Sequence, residues 1–155
     1  MFKRVLKSER GLTLIELLAV IVILGIIAAI AIPAIGGLID NSKKDAHVAN
    51  AQQMINATKI AVTADKSLIP ASGSTREVQL QQLENDGYLE TVKDPDGVGY
   101  DKTGSYVIVS NNNNKLSYSV KLINSKRGVQ TSDGGAVTED NLGRNQVRNN
   151  PAQQS

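Results

Sequence analysis

Glu16 is the residue whose position most demands a chemical reason. It lies near the start of an apolar run that extends from Leu12 to Ile39 and carries no charge from Leu17 onward. A carboxylate in hydrocarbon costs a few kcal/mol on insertion scales, so an ionisable group there marks a function, and its natural partner is a positive charge at the same depth. Leaving such a charge alone is expensive. The plainer alternative is that Glu16, close to the helix end, snorkels to the headgroups. Other chemistry is hard to assemble from this chain. Cysteine is absent, which excludes disulfides, thiolate catalysis and cysteine-ligated zinc. There is one histidine, no Gly-rich phosphate loop after a strand, and no base near the many Ser and Thr residues. The residues argue against an enzyme.

The elements around Glu16 are legible. Leu17–Ile39 spans about 23 residues, enough for a helix to cross a bilayer core. Lys3, Arg4, Lys7 and Arg10 precede it against Glu9 alone, which predicts a cytoplasmic N-terminus and an exported C-terminal part, with membrane lipid as the first partner. Removing those five charges from the totals of 17 basic and 15 acidic residues leaves 13 and 14 from Leu12 onward. The part after the leader is therefore not basic, and net charge gives no reason to expect nucleic-acid binding. Two processing readings stay open on these grounds. A secretory signal would be cut at Ala29-Ile30-Ala31 and release a soluble binding protein; the charge at Glu16 and the length of the run oppose this. A permanently anchored binding protein would keep residues 1–11.

A third reading rests on resemblance. "KSERGLTLIELLAVIVILGIIAAIAIP" is similar to the prepilin-type leader of type IV pilins and of the pseudopilins of type II secretion and competence DNA uptake. The matching features are the short basic leader, Gly11 at its end, Leu12, Thr13 and Glu16, then a long apolar helix with Gly25 and Pro33. The resemblance implies cleavage between Gly11 and Leu12 by a prepilin peptidase and N-methylation of Leu12. It also implies assembly of identical subunits into a helical filament by an inner-membrane platform and an assembly ATPase. Thr13 and Glu16 would then serve assembly, with Glu16 paired to the Leu12 amine of a neighbouring subunit. Gly25 and Pro33 would mark a break in the helix, where proline removes a backbone donor. The function implied is a structural subunit, a major pilin or pseudopilin, mature in an extracellular or cell-surface filament; a competence pseudopilin and a type II secretion major pseudopilin are the variants.

After Asp40 the pattern changes. Val48, Ala51, Met54, Ile55, Thr58, Ala61 and Val62 recur at spacings of three and four, one apolar face of a helix. A single helix from Leu12 to Asp65, softly broken near Pro33, is expected, with His47 as a solvated side chain. Ser74 or Thr75 is expected to cap a short helix over Arg76–Asp86, stopped by Gly87. Ser105–Ser110 and Lys115–Ile123 read as hairpin strands joined by Asn111–Asn114, and a third strand is expected near Gly128–Ser132. The fold class is α+β, a long helix on a small antiparallel sheet. The division expected is leader 1–11, apolar helix 12–39, amphipathic helix 40–66, globular part 67–132 and a polar, flexible tail 133–155.

"LQQLENDGYLETVKDPDGVGY" resembles, more weakly, the segment of major pseudopilins that leads through a short helix and a proline turn into strands. In type II secretion pseudopilins a similar Asp-Pro-x-Gly turn leads into a calcium-binding domain. By that resemblance Asp94, Asp96 and Asp101 are candidate calcium ligands. An ordinary Asp-Pro turn with solvated charges is the simpler reading, and the spacing does not match an EF-hand loop. DNA as a partner would have to rest on Lys126, Arg127, Arg144 and Arg148, four scattered cations without an aromatic platform.

Overall fold

The computed structural model describes residues 2–151, with side chains from Leu12 onward. The leader cations and Gly11's surroundings, like residues 152–155, lie outside the described side chains. The chain divides into two units, residues 1–40 and 41–155. Helix α1 (Phe2–Ala64) supplies all of the first unit and the opening of the second.

In the first unit no described residue is buried. Leu14 and Ile30 are each 71 % exposed. A helix apolar on every side needs an apolar surrounding, and this one is long and apolar enough to cross a membrane. Helix runs without interruption through Gly25 and Pro33 in the single chain. Proline costs one backbone hydrogen bond, and the unbroken apolar stretch on both sides holds the helix across that loss.

The second unit buries what the first exposes. Ala51, Met54, Ile55, Thr58, Ala61 and Val62 form the inner face of α1, as their spacing predicts; Val48 of the same set is half-buried, and Ala57, outside it, is buried as well. Asp65 ends the helix, its carboxylate accepting the Ser67 N–H at 2.9 Å and opening a 3₁₀ turn that buries Leu68. Six strands follow: β1 (Thr75–Gln79), β2 (Tyr106–Asn112), β3 (Lys115–Ile123), β4 (Arg127–Val129), β5 (Val137–Thr138) and β6 (Val147–Asn149). The sheet is antiparallel, ordered β1-β2-β3-β4-β6, with β5 also paired to β3. Asn113 and Asn114 turn the β2–β3 hairpin with φ of 51° and 65°, the left-handed pair that a two-residue turn requires.

Register explains the core. Val78, Val107, Val120 and Val137 stand opposite one another across four strands, and all are buried. Leu122, Val129 and Val147 form a second row. Because side chains alternate along a strand, these rows face one side; Val107, Val120, Val137 and the second row cluster with Ala51, Met54 and Ile55 of α1, and Val78 with Ala57, Ala61 and Val62. Gly128 belongs to this register: a Cβ there would overlap the Leu122 carbonyl and the Ile123 backbone.

Three expectations need correction. Residues 76–79 are strand, not helix; only Leu80–Asn85 forms the short helix α2, entered from Gln79 rather than capped by Ser74 or Thr75. Val78, Leu80 and Leu83 suit a helical spacing, but pairing of β1 with β2 decides the first half. Residues 133–150 are not a loose tail: Val137 and Val147 are buried and contribute β5 and β6. His47 is fully buried.

Candidate functional site

The first unit carries the residues expected to direct processing and assembly. Leu12 is 57 % exposed, and Thr13 and Glu16 are exposed beside it on the same helix. No described residue forms an ion pair with Glu16. What the chain brings together here is therefore a carboxylate one helical turn from Leu12, on a surface otherwise apolar. It can receive a cation from another molecule.

The second unit holds a polar cluster inside the protein. His47 lies four residues before Ala51 and seven before Met54, so α1 carries it on the buried face. Its Nδ1 lies 2.8 Å from the Tyr100 hydroxyl and its Nε2 2.9 Å from Asp96 Oδ2. Asn50 Nδ2 donates to the same Tyr100 oxygen at 3.0 Å. One tautomer satisfies all three contacts: Tyr100 O–H donates to Nδ1, and Nε2–H donates to Asp96. Burial pushes the Tyr100 hydroxyl well above the ordinary tyrosine range.

The "DPDG" turn brings Asp94 and Asp96 to this histidine. Asp94 accepts the backbone N–H groups of Asp96, Val98 and Gly99 at 2.9, 3.2 and 3.0 Å, and the Asn124 amide contacts both of its oxygens. Asp96 is gripped by Arg127: Nε donates to Oδ2 at 2.8 Å and Nη2 to Oδ1 at 2.7 Å. That two-pronged contact, then His47 and Asn124, holds the Asp96 carboxyl well below the usual range against the opposing effect of burial. Lys43 Nζ lies 4.0 Å from Asp96 Oδ1. Asp101 stands apart from the group: its Oδ1 accepts from the Gly104 and Thr103 N–H groups of its own turn.

His47, Asp94 and Asp96 each present a ligand atom within 4.8 Å of the others. The donor set does not suit calcium, which takes six to eight oxygens. One of the three is an imidazole nitrogen, Asp101 is not among them, and the oxygens of Asp94 and Asp96 already accept protein donors. Of the four cations considered for DNA, Arg127 is engaged with Asp96 and Arg144 with Asp45, Nη2 to Oδ2 at 2.6 Å. An open groove of about 740 Å³ lies elsewhere, along Ser117–Ser119 and Thr138–Asn141; Lys59 on its wall is tied to Glu139 at 2.7 Å.

Sequence reasoning assigned Tyr100 and Asn124 no role, and read His47 as solvated and Arg127 only as a cation for DNA. His47 had a signal, its helical phase with Ala51, Met54 and Thr58. Asn124 and Arg127 had none, since their partners lie about thirty residues away.

Residues 6–32 match the family model of the prokaryotic N-terminal methylation motif. No curated protein and no solved structure gives a significant match. The chain thus carries a prepilin-type N-terminal segment on a long apolar helix, followed by an α+β unit, an organisation consistent with the type IV pilin family. The motif points to a structural protein rather than an enzyme, and to a membrane-anchored precursor.

Proposed function

We propose that this chain is the precursor of a structural subunit of a type IV pilus-like filament. Prepilin peptidase cuts between Gly11 and Leu12 and methylates the new amine. The subunit then leaves the bilayer and packs its apolar helix among identical helices, driven by an assembly platform and ATPase. The observation that carries this reading is the methylation motif over residues 6–32, with Glu16 as the one charge in the exposed apolar run Leu12–Ile39. Pairing Glu16 with the Leu12 amine of a neighbour offsets two burial costs at once and sets axial register, so the cost of each charge favours assembly. Gly25 and Pro33 supply a place where the helix loosens on assembly. Surface pilus, competence pilus and secretion pseudopilus share this mechanism and differ in what the filament handles; of the groups that suggested DNA, Arg127 and Arg144 are engaged within the chain, as are Asp94, Asp96 and Asp101 of the calcium candidates.

Substitution of Glu16 tests the mechanism. Glu16→Ala is expected to leave the precursor at wild-type level in the membrane, still cleaved, while sheared surface fractions contain few or no filaments by electron microscopy. Abundant filaments from Glu16→Ala cells would reject the pairing role.

A further inference from the structure

The loop that resemblance links to calcium has its cation already, supplied by the chain. We propose that Arg127 occupies the cation position of the Asp94–Asp96 loop, so that the outer unit is clasped by an internal guanidinium and is independent of divalent metal. Four observations converge on this. His47 Nε2 and the two carboxylates lie close enough together to share one small cation. Arg127 instead fills that role toward Asp96, with both prongs of its fork at 2.7–2.8 Å and its side chain only 14 % exposed.

The arginine is itself positioned. Asn124 Oδ1 accepts the Lys126 and Arg127 N–H groups at 2.8 Å, which sets the β3–β4 turn, while Asn124 Nδ2 donates to both carboxylates. The charges also close. Asp96 already meets the guanidinium and the Lys43 ammonium, and Asp94 is held by backbone N–H groups and Asn124, so a divalent ion would add positive charge beside a partly buried arginine. Through His47, Asp96 and Arg127 the clasp joins α1, the "DPDG" turn and β4, three segments far apart in sequence. This holds whatever the filament does, because it concerns only residues of the second unit.

Thermal unfolding of the full chain in detergent micelles, followed by circular dichroism, tests it. Wild-type protein is expected to show the same midpoint in EDTA and in millimolar calcium or zinc. Arg127→Ala is expected to lower the midpoint by at least about 10 °C, the scale for orphaning a buried charge. Zinc, which accepts imidazole and carboxylate ligands, is expected to restore part of that loss in the variant only. A wild-type midpoint that falls in EDTA or rises with calcium would overturn the proposal. So would a folded Arg127→Ala protein with an unchanged midpoint, or one that zinc fails to raise. Where Arg127→Ala does not fold, Arg127→Lys decides with the wild type: a charge without the fork should lie between the two, and a lysine variant as stable as wild type would deny the fork its role.

Discussion

The two units of this chain treat charge in opposite ways. In the first, the Glu16 carboxylate stands in an apolar run with no ion-pair partner among the described residues. In the second, two buried carboxylates meet a histidine, an asparagine and a forked arginine, all within the chain. The second unit is complete by itself; the first is complete only when lipid or other helices surround it. On the proposed filament reading, that contrast has a use: the second unit folds before assembly, and the helix keeps its unsatisfied surface for assembly.

The largest expected effect tests the division itself. Leu122→Ala, at a fully buried position, should cost the outer unit about 2–5 kcal/mol in denaturant unfolding in micelles. Leu24→Ala removes the same atoms from a side chain 58 % exposed and should leave that transition within about 0.5 kcal/mol. Equal costs would erase the contrast.

Acid sharpens it next. The Asp96 carboxyl is depressed in the folded protein, so its contribution is complete above the ordinary value of 3.8 and is lost as pH falls toward the folded one. The unfolding midpoint should therefore drop below about pH 4, and Asp96→Asn should lower the midpoint at neutral pH while flattening its acid dependence. An unaltered acid slope in the variant would move the effect to other carboxylates.

How far this was legible follows from distance along the chain. The first unit is written in neighbouring residues: a basic leader, a glycine, an apolar run and one carboxylate. Its motif, its helix and the inner face of α1 could be read directly, as could the Asn-turned hairpin. The clasp could not, because Asp96 meets His47 across 49 residues and Arg127 across 31. The last two strands hid for another reason. Val137 and Val147 are isolated apolar residues in a polar segment, and only the register with β3 and β4 gives them a row to join.

That segment gives a smaller prediction. Val147→Ala should cost about 1–2 kcal/mol, whereas a truly loose tail would make it silent. The smallest effect belongs to the exposed Asp45–Arg144 pair: Arg144→Ala should leave the unfolding midpoint unchanged in low and high salt alike, as expected for an ion pair in water. A clear loss at low salt would give this surface contact a structural role.

The most direct test of the filament reading is the mass of the N-terminal peptide from protein sheared off the cell surface. The account predicts a chain that begins at Leu12 and is one methyl group heavier than its sequence. A start near Ile32 would mean that the apolar helix and Glu16 are discarded, and a retained leader would mean a permanent anchor; either would contradict it.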